Sequence, residues 1–150
     1  LHANTININS AIRATYEQEI VPHICREGDD DQYGSAAVCD VACLQALSKR
    51  IHYGKFVAES KFREAPERLL PAMNEQDSDS LMAAITNQIE EQVLQRVEAK
   101  ARLYTQELAS ASTSPTVAPE TIVDIYRSWI IPMNKQVQVE YLLQRNAESA

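Results

Sequence analysis

The chain has 150 residues, a formal net charge of −7, and three Gly against six Pro, a size that suits one domain with a real core. The acidity argues against a nucleic-acid partner, which would need a basic footprint, and no apolar run approaches the roughly 20 residues of a membrane span. An anionic ligand would need a local concentration of cations to overcome this global field.

Ala, Glu, Gln, Leu and Arg outnumber β-branched and aromatic residues, which points to an all-α fold. Asn9 or Ser10 is placed to cap a first helix to about Cys25, with Ile12, Tyr16, Ile20 and Ile24 on one face. Glu27 to Gly34 reads as a polar loop, and Ser35 then caps a long helix to about Arg63. Its apolar stripe includes Val38, Leu44, Leu47, Ile51 and Phe62. Pro66 opens a shorter helix at a permitted first-turn position, and Asp77 or Ser78 starts another. A further helix spans about Ile89 to Leu108, with Val93, Val97 and Ala101 in register. Ala109 to Pro119, rich in Ala, Ser and Thr, is a flexible surface connection. Pro119 starts a last long helix to about Asn146, kinked at Pro132. No internal repeat is present, and the long helices predict bundle packing.

Cys25, Cys39 and Cys43 make an odd count. Cys39 and Cys43, four apart on a helix, rarely meet disulfide geometry, so the cysteines read as small buried thiols in a reducing compartment. No Cys-x-x-Cys or His-x-x-x-His spacing supports a metal site. The chain begins at Leu1 and shows no signal peptide, which is also what a chain with its leader already cut would show.

Arg50 and Lys61 are eleven apart, three helical turns plus about 20° and ~16 Å along the axis. Gly54, Val57 and Ala58 lie near the line between them, so two cations would flank a floor of small residues able to hold a dianion. The alternative is a solvated cationic face paired with Glu59 and Glu64. A mid-helix glycine costs about 1 kcal/mol against alanine, so Gly54 calls for a packing or ligand reason. In the last helix Asn134 and Gln138 share a face among apolar neighbours; such amides are either satisfied core groups or donors to a ligand. Asn87 with Glu90 and Glu91 reads by default as a helix start whose acids suit the macrodipole.

Residues 46–62 (ALSKRIHYGKFVAESKF) closely resemble the hallmark helix of the eukaryotic, plant and fungal, all-helical chorismate mutases. Residues 34–40 (GSAAVCD) resemble the plant-type loop and helix start, and residues 132–143 (PMNKQVQVEYLL) the family's C-terminal active-site helix. The resemblance runs over nearly the whole chain in the family's order. It implies a helical bundle in which residues 1–150 are the C-terminal portion of the family's single domain, with the N-terminal helices absent.

The implied activity is the Claisen rearrangement of chorismate to prephenate, in phenylalanine and tyrosine biosynthesis, without cofactor or metal. Such a site folds a dicarboxylate into a near-attack conformer and stabilises charge developing on the breaking ether oxygen. By position, Arg50 would pair with a substrate carboxylate, Lys61 would bond the ether oxygen and a carboxylate, and Gln138 would be the second donor to that oxygen. Glu90 would accept from the substrate hydroxyl with Asn87 nearby; matching Asn87 selects Glu91 instead, and Glu90 is chosen. Asn134 stands where threonine is usual among the substrate-binding residues. With glutamine at 138, the chemical step should depend little on pH between about 5 and 8.

Gly34 and Ser35 match a loop that binds tyrosine or tryptophan effectors at a homodimer interface. Ala118 replaces a switch threonine, so weak or absent allostery is expected. Family members carry a further N-terminal arginine that Arg13 does not match, and a separate N-terminal segment is one way to supply it. The resemblance thus leaves a working mutase, an inactive or fragmentary homologue acting as a binding module, and a secreted mutase as readings. The expected location is cytoplasmic, or plastid or secreted if a targeting segment has been removed.

Overall fold

The structure, a computed structural model, describes residues 1–29, 31–86, 89–111 and 117–147, and these hold helices and no strand. Asn87 therefore lies outside the described residues, as does the middle of the expected surface connection at 109–119.

Residues 1–8 form no regular element but are tied to the helices. Ile6 and Ile8 are buried, and His2 N, Thr5 N and Ile8 N donate to Tyr141 Oη, Gln144 Oε1 and His52 Nε2 at 3.0, 3.3 and 3.0 Å. Helix α1 (Asn9–Thr15) follows, then a π-helical stretch (Tyr16–Ile20) and α2 (Val21–Ile24). Ile12, Tyr16 and Ile20 are buried and Ile24 partly so, which is the face the periodicity predicted. The cap differs from expectation. Ile8 holds the N-cap position, Asn7 Oδ1 accepts from Asn9 N at 3.0 Å, and the Asn9 side chain is turned to Ser48.

The expected helix from Ser35 to Arg63 is two helices, α3 (Tyr33–His52) and α4 (Gly54–Glu64). Gln32, not Ser35, is the N-cap, with no side-chain cap bond. At Tyr53 the ladder tightens: ψ falls to −15°, and Phe56 N bonds Tyr53 O at 3.0 Å, an i to i+3 bond of the kind that ends an α-helix. Leu47 and Ile51 are buried and Leu44 and Phe62 packed against the core, but Val38 is 70 % exposed, since residues 31–42 pack against little.

Helix α5 (Pro66–Asn74) opens on Pro66. Helix α6 (Ser78–Ile85) is capped by Asp77, whose carboxylate accepts from Asp79 N and Ser80 N at 3.0 Å each, satisfying two donors that the first turn leaves free. Helix α7 (Ile89–Ala111) runs three residues past the expected end and lies along α8 (Pro119–Ile125).

A π-helical stretch (Tyr126–Ile130) joins α8 to α9 (Ile131–Ala147). Both π stretches end two residues before a proline: Val21 N bonds Tyr16 O ahead of Pro22, and Ile131 N bonds Tyr126 O ahead of Pro132. A proline ring collides with the carbonyl four residues back, and the wider i to i+5 turn is the local change associated with each proline. At Pro132 the helical ladder thus continues through a π turn rather than ending. Helix α9 is the hub: it touches α3, α4, α5 and α6, and its Val137, Tyr141 and Leu142 are fully buried.

The three cysteines are free, but Cys25 and Cys39 are exposed and only Cys43 is partly buried, against the expectation of buried thiols.

Candidate active site

The junction of α3 and α4 faces α7 and α9 across a cleft of about 290 Å³, room for a small molecule. Arg50, Tyr53, Val57 and Lys61 form one wall, Glu90, Val93 and Arg96 the second, and Tyr126, Ile130, Ile131, Asn134, Lys135 and Gln138 the third. Arg50 and Lys61 thus share a face, as their spacing predicts, despite the break between them. Gly54 and Ala58 are not its floor: Gly54 packs on α9 and Ala58 is fully buried.

A hydrogen-bonded chain runs through the cleft wall. Lys61 Nζ donates to Ile85 O at 2.6 Å and to Gln138 Oε1 at 3.1 Å. Gln138 Nε2 donates to Asn134 Oδ1 at 2.8 Å, and Asn134 Nδ2 donates to Arg50 O and Ile51 O at 3.2 and 3.1 Å. Gln138 is 4 % exposed. Across the cleft Lys135 Nζ pairs with Glu90 Oε1 at 2.9 Å. The Arg50 guanidinium lies 6.0 Å from the centre of the Tyr126 ring, at the outer limit of cation–π range.

The charge balance is local. Four cations, Arg50, Lys61, Arg96 and Lys135, and one anion, Glu90, line the cleft, in a chain whose net charge is −7. This is the concentration of positive charge that an anionic ligand requires. Burial pushes the Lys61 ammonium below its ordinary value; Glu90 opposes that, while Lys135 and Arg68 add to it.

Glu59 does not pair with Lys61. It is buried behind α4, accepting from Arg63 Nε (2.7 Å), Tyr141 Oη (2.7 Å) and Arg145 Nε (2.9 Å), and Arg145 lies 3.7 Å above the Phe62 ring. Burial raises the Glu59 carboxyl, but these three donors outweigh it and hold it down at about 2.

Of the residues singled out in the sequence, Arg50, Lys61, Glu90, Asn134 and Gln138 meet at this cleft. Glu91 is exposed and does not line it. Gly34 and Ser35 sit on the exposed first turn of α3, away from the cleft. Lys135, Arg96, Tyr53 and Tyr126 escaped the sequence reading. Lys135 alone left a signal, lying between Asn134 and Gln138 in the sequence, but one step along a helix turns ~100° and suggests a different face. Among the described residues no group of three or more His, Cys, Asp or Glu side chains is placed to hold a metal ion.

A family model described as chorismate mutase type II matches residues 32–139. Chorismate mutase 1, chloroplastic, of Arabidopsis thaliana is 45% identical over 157 residues, covering 95% of this chain and 46% of the relative. The crystal structure of AtCM1 with tyrosine bound in its allosteric site superposes with a TM-score of 0.86 at 48% identity, covering 95% of this chain and 57% of that one. Aro7p chorismate mutase from Candida albicans, in complex with L-Trp, gives a TM-score of 0.80 at 39% identity, covering 95% and 54%. The chain spans about half the length of the curated relatives it matches.

Proposed function

The chain belongs to the chorismate mutase type II family, and from that premise we propose that the cleft binds chorismate and converts it to prephenate. The observation that carries the reading is the convergence of Lys61 and Gln138 on one lined cavity. Lys61 has three N–H groups and Gln138 two. Among the described residues two of the Lys61 donors and one of the Gln138 donors are taken, which leaves one from each for a ligand.

In the rearrangement a C–O ether bond breaks as a C–C bond forms within the same molecule, with no proton gained or lost. The ether oxygen gathers negative charge on the way. Two fixed N–H donors on that oxygen act where charge develops, and the burial of Gln138, 4 % exposed, strengthens its share. Arg50 pairs with one carboxylate, and the one N–H left to Lys61 serves the ether oxygen while the charge of the ammonium attracts a carboxylate, so the dianion is held in its reactive shape. Glu90, oriented by Lys135, accepts from the substrate hydroxyl; Asn87 belongs to this part of the proposal.

A second reading is a binding module without turnover. It is favoured by the exposure of Arg50, whose guanidinium lines the cleft beside Tyr126 but is open to solvent. A homodimer, an aromatic amino-acid effector bound near Gly34 and Ser35 with weak allostery because of Ala118, a separate N-terminal segment, and a cytoplasmic or plastid location complete the proposal. Two relatives are solved with tyrosine or tryptophan bound, and the Arabidopsis thaliana, Petunia hybrida and Zea mays relatives are named as chloroplastic; these support the finer points by analogy.

The test follows the loss of chorismate's ultraviolet absorbance with the chain and with Lys61→Ala. Turnover that Lys61→Ala abolishes supports the enzyme. Calorimetric binding of chorismate without turnover supports the module, and neither turnover nor binding overturns both.

A further inference from the structure

We infer that Asn134 is a positioning residue: it carries a fixed polarity from the main chain at the α3–α4 break to the Gln138 amide, and does not itself hold the ligand. The inference rests on the proposed reaction for its kinetic consequences, but its geometry stands apart from it.

The polarity follows from the two ends of the chain of bonds. At one end are Arg50 O and Ile51 O, main-chain carbonyls that can only accept. At the other is the Lys61 ammonium, which can only donate. Between them stand two primary amides, Asn134 and Gln138, whose oxygen and nitrogen could in principle be exchanged.

Turning Asn134 alone would aim Oδ1 at two carbonyls and set its nitrogen against Gln138 Nε2. Turning Gln138 alone would set Nε2 against the Lys61 ammonium and Oε1 against Asn134 Oδ1. Turning both would keep the bond between them but leave both ends repulsive. One arrangement satisfies every contact, and it is the one seen: Nζ to Oε1, Nε2 to Oδ1, Nδ2 to the two carbonyls. It leaves Gln138 with its nitrogen beside Asn134 and one N–H for the cleft.

Asn134 has little left for a ligand. Both its N–H groups are spent on the main chain, and Oδ1 retains a single acceptor site. A residual acceptor cannot hold a carboxylate. The carbonyls that anchor Asn134 lie in the turn before Tyr53, where the helix tightens, so the break in the long helix and the setting of Gln138 are one structural feature.

The test is a double-mutant cycle on chorismate turnover. Asn134→Ala should lower kcat about tenfold, close to 1.4 kcal/mol, in the otherwise unchanged chain, and by less than about twofold in a Gln138→Ala background. Asn134→Thr, whose hydroxyl can accept from Nε2 and donate to one carbonyl, should recover most of the loss. Equal factors in both backgrounds, or a rise in KM at unchanged kcat, would mean that Asn134 contacts the ligand and would overturn the inference.

If the chain fails to turn over chorismate at all, the proposed function falls while the positioning role is still judged by hydrogen exchange. The Gln138 side-chain amide proton bonded to Asn134 should exchange slowly in the free protein, faster in Asn134→Ala, and slowly again in Asn134→Thr. Exchange at Gln138 that ignores both substitutions overturns the positioning role.

Discussion

A Cβ on Gly54 would stand 2.6 Å from the carbonyl oxygen of Asn134, 3.2 Å from its Nδ2 and 3.3 Å from Val137 Cγ1. Two of these are atoms of the residue that holds Gln138, and the nearest is backbone, which cannot swing aside. Gly54 is therefore the close-approach point that lets α4 and α9 bring Lys61 and Gln138 together. Gly54→Ala should destabilise the fold by about 1–3 kcal/mol through overpacking, even though alanine gains about 1 kcal/mol in helix propensity. Urea unfolding of the two chains measures this directly. An alanine variant as stable as the parent would mean that the helices meet less tightly than this.

The same glycine marks where the sequence could be read and where it could not. Helical spacing alone put Arg50 with Lys61 and Asn134 with Gln138 on shared faces, because both are arithmetic on about 3.6 residues per turn. The break at Tyr53 was invisible, since its partner Asn134 lies 83 residues from Ile51 and no local signal reports a carbonyl that another helix will claim. The cap at Asn9 failed for a related reason, its side chain having a better partner in Ser48, whereas Asp77, whose partners are the backbone donors of Asp79 and Ser80 just along the chain, caps its helix as expected. Val38 fits an apolar stripe, yet burial depends on what packs opposite, which periodicity does not contain. Lys135 and Arg96 were overlooked because a cleft between three helices is a property of the assembly. The roles assigned to Arg50, Lys61 and Gln138 came from resemblance; their spacing alone favoured a structural reading.

Glu59 makes the fold sensitive to acid in a way that can be located. Its carboxyl sits at about 2, below the ordinary 4.5, because Arg63, Tyr141 and Arg145 outweigh the burial that would raise it. A depressed folded value means that its contribution is complete above about pH 4.5 and is lost as the pH falls toward 2. The size is on the order of 3 kcal/mol, from about 1.4 kcal/mol per pKa unit. Unfolding free energies of the parent and Glu59→Gln should therefore differ most at neutral pH and converge through this window. A gap that stays constant down to pH 2 would show that the carboxylate is not held by these cations.

The Lys61 ammonium should set the alkaline limb of the reaction, and its two charged neighbours should move that limb in opposite directions. Lys61 lies below its ordinary value of 10.5 because it is buried; Glu90 raises it, and Lys135 and Arg68 lower it. The protonated form is the donor, so activity should be flat from about pH 5 to 8, where neither arginine nor glutamine titrates, and then fall as Lys61 loses its proton, earlier than for an exposed lysine. Glu90→Gln removes the raising charge and also frees Lys135 from its 2.9 Å partner, so the limb should move to lower pH. Lys135→Gln should move it to higher pH. Glu91→Gln, at an exposed residue outside the cleft, should leave it in place. The measurement is kcat against pH for the parent and the three variants. Parallel shifts for Glu90→Gln and Lys135→Gln would remove Lys61 as the titrating donor, and a shift for Glu91→Gln alone would make Glu91, not Glu90, the carboxylate that faces it.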